Sequence, residues 1–137
     1  MAIDPQYLQD GMRDELTRCA APPLFYSHLE RVIAGSTRSH SEVTLVAISI
    51  SDGSSIDEIV SMAHAITQSM RREDLCGRMG HFQFIVALAG DSAGAVKLVE
   101  RIESTAKTLF SSAYVEWRQG EKPLQLLYRL DCAVDNV

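Results

Sequence analysis

The sequence has little of what would assign it at a glance. It has no Cys-x-x-Cys pair: its three cysteines, Cys19, Cys76 and Cys132, are odd in number, far apart and set among apolar residues. That pattern speaks against a disulfide framework or a cysteine–histidine metal centre and fits buried thiols in a reducing compartment. No apolar run approaches membrane length, and no charged segment with an apolar core opens the chain. A soluble, cytoplasmic stretch is expected, with no membrane partner. Basic residues are in deficit, 13 against 18 acidic, for a formal net charge of -5. This balance argues against nonspecific nucleic-acid binding, and nucleic acid is not an expected partner, although a local basic pocket for one small anion is compatible with it. There is no internal repeat and no low-complexity segment. His64 falls in a helical pattern without a second histidine or acid at ligand spacing, which reads as a surface or core-edge histidine.

What is present fills one domain. At 137 residues the chain has room for a single core. Residues 1–13, with Pro5 and Gly11, read as an N-terminal arm or linker, and 14–137 as the domain. Pro22-Pro23 can start a helix, because its first turn needs no donor; Phe25, Leu29, Val32 and Ile33 mark its apolar face, and Gly35 is expected to close it. A polar loop over 36–41 leads into an apolar run, Val43 to Ile50, read as a central buried strand. Asp52-Gly53 reads as a turn. Ser55 and Glu58 form a capping-box pattern ahead of a helix whose stripe is expected to be Ile56, Ile59, Val60, Ala63, Ile66 and Met70.

A hairpin follows, Leu75 to Met79 and Phe82 to Leu88 around a Gly80-His81 turn. Asp91 and Ser92 precede a long amphipathic helix carrying Ala95, Leu98, Val99, Ile102, Ala106 and Leu109. Ala113 to Arg118 reads as a strand and Leu124 to Val134 as a closing helix. The order strand, helix, hairpin, helix, strand predicts an α/β fold: a ferredoxin-like antiparallel sheet with the two intervening helices on one face.

The stretch from Arg71 to Phe84, R-R-E-D-L-C-G-R-M-G-H-F-Q-F, resembles the hairpin of the GGDEF family, the diguanylate cyclases that condense two GTP molecules into cyclic di-GMP. Gly80-His81-Phe82-Gln83-Phe84 stands where the family has Gly-Gly-(Asp/Glu)-Glu-Phe. Arg71-Arg72-Glu73-Asp74 stands where it has the Arg-x-x-Asp product-binding motif. Asp14-Glu15-Leu16-Thr17 is similar to the Asp-x-Leu-Thr that opens these domains, with Phe25 on an aromatic position, and Glu100-Arg101-Ile102 to a Glu-Arg-Ile further on. Leu130-Asp131-Cys132-Ala133 resembles the terminal Ala-Asp-x-Ala. The matches run from Asp14 to Ala133 and imply the family's nucleotidyl cyclase-like fold.

The departures bear on activity. The third and fourth hairpin positions, acidic in the family, are Phe82 and Gln83; a phenyl ring cannot ligate magnesium and a neutral amide replaces a carboxylate. Ser49-Ile50-Ser51 occupies the register of a metal-holding Asp-x-Asp, with Asp52 one residue late and so on the other face. The segments that recognise substrate guanine are missing between Gly53 and Ile56. His81 replaces a glycine against which nucleotide would lie. Phosphoryl transfer rests on positioning and metal-borne charge neutralisation, so the expectation is a non-enzyme: no catalytic residues, no metal site and no cofactor.

One polar constellation is complete. In the family the Arg and Asp of Arg-x-x-Asp, with the Arg of Glu-Arg-Ile, form an inhibitory site for cyclic di-GMP, and these map to Arg71, Asp74 and Arg101. A guanidinium can grip a phosphate or the guanine O6/N7 edge in bidentate fashion, and a carboxylate can accept from guanine N1 and N2. Arg72 and Arg78 lie near enough in sequence to add positive potential. Against this stands an ordinary helix end complemented by arginines, with Asp74 in a surface pair. The expected partners are cyclic di-GMP, a neighbouring domain or partner protein, and a second copy in a homodimer. Two further readings stay open: a protein-interaction or scaffolding domain without nucleotide, anchored by aromatics such as Tyr26 or Trp117, and retained GTP binding without turnover.

Overall fold

The computed structural model describes residues 12–136, so most of the arm predicted over 1–13 lies outside the described residues. The chain forms α1 (Pro22–Ser39), β1 (Val43–Ser49), α2 (Ile56–Ser69), β2 (Leu75–Gly80), β3 (Gln83–Ala89), α3 (Ser92–Thr105), β4 (Ser111–Glu116) and α4 (Pro123–Asp135). The four strands make one antiparallel sheet in the order β2-β3-β1-β4. Val43 lies opposite Ala89 and Ser49 opposite Gln83, so the β2–β3 turn and the Ala89 strand end sit at opposite ends of the sheet.

Side chains alternate across each strand and feed two cores. Val46, Ile48, Phe84, Val86 and Leu88 pack with α2 and α3; Leu45, Ala47, Ile85 and Ala87 pack with α1 and α4. The two helices that were expected to share a face do so, and α1 and α4 cover the other. Both central strands are therefore buried on both sides, which is why they read as continuous apolar runs rather than alternating ones. Phe25 is fully buried, a gain of about 1.5–3 kcal/mol over exposure. It lies against Gly77, where an added Cβ would stand 2.7 Å from its ring.

Several boundaries differ from expectation. α1 runs through Gly35 to Ser39 and ends at His40, which adopts φ 58. Hydroxyls hold the polar run in the helix: Thr37 Oγ1 donates to Ile33 O at 2.8 Å and Ser39 Oγ to Gly35 O at 3.0 Å. In α2 the capping box forms as predicted, but Ile56 and Val60 are exposed and the buried residues are Ile59, Met62, Ala63, Ala65, Ile66 and Ser69. Both sets have helical spacing, and packing beside α3 selects the second. His64 is exposed, as expected.

The hairpin turn is His81-Phe82 rather than Gly80-His81, because a register irregularity between Arg78 and Gly80 moves it along by one residue. α3 stops at Thr105 and leaves Leu109 outside it, 91% exposed. β4 begins two residues earlier than predicted. Cys19 and Cys76 are buried as expected, whereas Cys132 is exposed on α4. Among the described residues no helix is long and apolar enough to cross a membrane.

Candidate ligand-binding site

At the turn end of the sheet, Ser49 pairs with Gln83 on one side and Ser111 on the other. Ile50 N–H donates to Phe82 O at 2.9 Å, and the Phe82 ring packs against the core. Asp52 lies in a turn closed by Ser54 N–H and Oγ on Ser51 O, at 3.1 and 2.7 Å, with Gly53 at φ 88. A concavity of about 310 Å³ beside this edge is lined by Ser49, Ile50, Ser51, Leu109, Phe110 and Ser111. Its polar side chains are hydroxyls. Magnesium requires hard, mostly anionic oxygen donors, and this set does not fit it; among the described residues, no three His, Cys, Asp or Glu converge on one point.

Arg78 belongs to this end and not to the Arg-x-x-Asp side. Its Nη1 donates to both oxygens of Asp14 at 3.2 Å and its Nη2 to His81 O at 3.0 Å. Burial alone would raise the Asp14 carboxyl, but hydrogen bonds from Thr17 and the charge of Arg78 outweigh it and hold the carboxyl below its ordinary range.

The opposite end carries a different surface. Between α2 and β2 the chain turns through Arg71 to Asp74, closed by Asp74 N–H donating to Arg71 O at 3.1 Å. A cavity of about 190 Å³ is lined by Arg71, Lys97 and Arg101 together with Gly90, Asp91 and Gly94 at the start of α3. Arg101 Nε donates to Ser69 O at 3.0 Å, which fixes its stem and leaves its terminal nitrogens for a ligand. Asp91 caps α3 by accepting from Gly94 N–H at 3.2 Å. Three cations thus line one cavity beside the capped start of α3, an arrangement that favours an anion such as phosphate.

The structure therefore brings Arg71 and Arg101 together and gives Asp74 another position. Asp74 is 6% exposed, does not line the cavity, and accepts from Arg71 N–H at 3.1 Å and Ala89 N–H at 3.0 Å. Arg72 does not line the cavity either. His28 on α1 lies within reach of the charges of Arg31 and Asp74; burial lowers its imidazole, Arg31 adds to this, and Asp74 opposes it. Lys97 was not singled out in the sequence, although it stands four residues before Arg101, one helical turn away on the same face. Of the proposed aromatic anchors, Tyr26 is 41% exposed, while Trp117 is partly buried and donates from its indole nitrogen to Glu121 O at 2.9 Å.

No family model matches the sequence, and no curated protein matches it. Solved structures do. The GGDEF domain of DgcB from Caulobacter crescentus in complex with c-di-GMP superposes with a TM-score of 0.84 at 18% identity, over 93% of this chain and 88% of that one. A Pseudomonas aeruginosa GGDEF domain, that of TpbB or YfiN, gives 0.80 at 19%, over 90% and 87%. Diguanylate cyclase SiaD, solved with its activator SiaC from Pseudomonas aeruginosa, gives 0.82 at 22%, over 96% of this chain and 60% of that one. The fold of this chain is that of the GGDEF domains of diguanylate cyclases.

Proposed function

We propose that this chain is a catalytically silent regulatory domain of bacterial, cytoplasmic cyclic di-GMP signalling, and that it binds cyclic di-GMP at the Arg71–Arg101 end. The observation that carries this reading is the convergence of Arg71, Lys97 and Arg101 on one cavity beside the start of α3. Their guanidinium and ammonium groups suit a ligand of two phosphates and two guanines. Asp74 acts as a positioning residue, holding Arg71 through its backbone. Silence is supported at the other end of the sheet by hydroxyls and an amide, Ser49, Ser51 and Gln83, where metal-binding acids would be needed, and by Phe82, partly buried against the core. Such a module acts on a neighbouring domain, a partner protein or a second copy of itself. Retained GTP binding without turnover ranks last, because the guanine-recognising segments are missing from the sequence.

Titration calorimetry of the chain with cyclic di-GMP, repeated with Arg71→Ala, tests the reading. Heat is expected in the parent, with affinity weakened about tenfold or more in the variant, the effect of losing a charged hydrogen-bond donor. Absence of heat in the parent favours a protein-interaction domain. For that alternative one observation speaks: Leu124 and Tyr128, one turn apart on α4, are 72% and 69% exposed beside a concavity of about 630 Å³.

A further inference from the structure

The cavity of Arg71 and Arg101 is too small for a whole cyclic dinucleotide. It measures about 190 Å³, whereas pockets that enclose drug-sized ligands run from about 300 to 1,000 Å³. A ring of two guanines, two riboses and two phosphates gripped there must extend beyond it. Ala89 and Gly90 form a wall common to this cavity and a second concavity of about 580 Å³ on the α1 side.

The polar lining of the second concavity is Arg31, Ser36, Ser39, His40, Ser41 and Glu42. The serines are occupied with one another and with the helix: Ser41 Oγ donates to Ser36 Oγ at 3.0 Å, and Ser39 Oγ lies 2.9 Å from Ser41 Oγ. Arg31 uses one guanidinium nitrogen on Ser27 Oγ at 2.9 Å, which leaves the other donors of its fork. Glu42 contributes its backbone to the fold, its C=O accepting from Gly90 N–H at 3.1 Å. Its carboxylate is exposed and has no hydrogen bond or salt bridge among the described residues.

The shared wall is bare. Gly90 is pinned by Glu42 O and by Thr44 Oγ1, which donates to Gly90 O at 2.8 Å. It has φ 152, and no heavy atom lies within 4 Å of the place a Cβ would take. A ligand can therefore lie close over backbone alone.

Guanine presents N1–H and N2–H₂ side by side and needs an acceptor-only partner for them. Asp74, the carboxylate that the sequence offers, is committed to two backbone N–H groups. Across the wall, Glu42 is free. Resting on the reading of cyclic di-GMP as ligand of the Arg71–Arg101 cavity, we propose that the dinucleotide straddles Gly90 and seats one guanine in the Arg31–Glu42 cavity. The Glu42 carboxylate accepts there from N1–H and N2–H₂, and the Arg31 guanidinium donates to the O6/N7 edge.

The test has a sign built into it. Removing an acid from the neighbourhood of a dianionic ligand strengthens binding through long-range electrostatics, whereas loss of a direct acceptor weakens it. Calorimetry with cyclic di-GMP and cyclic di-AMP is run on the parent, Glu42→Gln and Arg71→Ala, with the thermal midpoint of each variant checked against the parent. Glu42→Gln is expected to keep the midpoint, to weaken cyclic di-GMP about tenfold or more, and to narrow its preference over cyclic di-AMP. Unchanged or tighter binding in Glu42→Gln, with Arg71→Ala losing the ligand, overturns the second cavity and leaves the first standing. Failure of the parent to bind overturns both.

Discussion

At Asp74 the two carboxylate oxygens accept from the N–H groups of Arg71 and Ala89, which lie on either side of the open end of the β2–β3 hairpin. The residue ties the turn that presents Arg71 to the strand end that forms the wall of the cavity. Asp74→Ala leaves both donors without their acceptor and is expected to cost about 1–2 kcal/mol in urea unfolding. Stability equal to the parent would remove the positioning role. Neither this role nor the place of Lys97 could be read from the Arg-x-x-Asp pattern. A short motif states which groups are present, while burial and backbone partners decide whether a carboxylate faces a ligand. The placement of Arg71 and Arg101 was legible from the motifs they resemble; that of Glu42 was not, because it lines the neighbouring cavity from the connection between α1 and β1.

Among the elements, the packing of α1 on β2 is the tightest approach between a helix and a glycine. A Cβ at Gly77 would meet Phe25 Cδ1 at 2.7 Å, and both residues are buried. Gly77→Val is expected to destabilise the domain by about 1–3 kcal/mol through overpacking, read as a fall in the urea midpoint. An unaltered midpoint would mean that α1 shifts freely on the sheet. The strands and caps were legible at this scale because each has a local cause: apolar runs for β1 and β3, Ser55 with Glu58 for α2, Asp91 for α3. The ends of α1 and of the hairpin were less so. Serine and threonine hydroxyls bonded to helix carbonyls extend α1, and the irregularity after Arg78 moves the turn, and both depend on contacts that composition does not reveal.

Taken as a whole molecule, the antiparallel sheet separates two chemistries. Its turn end holds the uncharged side chains of Ser49, Ser111, Phe82 and Gln83, with Arg78 already paired to Asp14 beside them; its other end holds Arg71, Lys97 and Arg101 around the start of α3, with Arg31 and Glu42 beyond Gly90. A chain of net charge -5 thus concentrates cations where an anionic ligand would sit. The most direct test is amide chemical-shift mapping during titration with cyclic di-GMP. The expected result is a set of saturable shifts around Arg71, Ala89 to Gly94 and Arg101, extending across Gly90 to Arg31 and residues 36–42. Shifts centred on His81 to Gln83 and Ser49 to Ser51, or none at saturating ligand, would contradict the assignment of the ligand to this end.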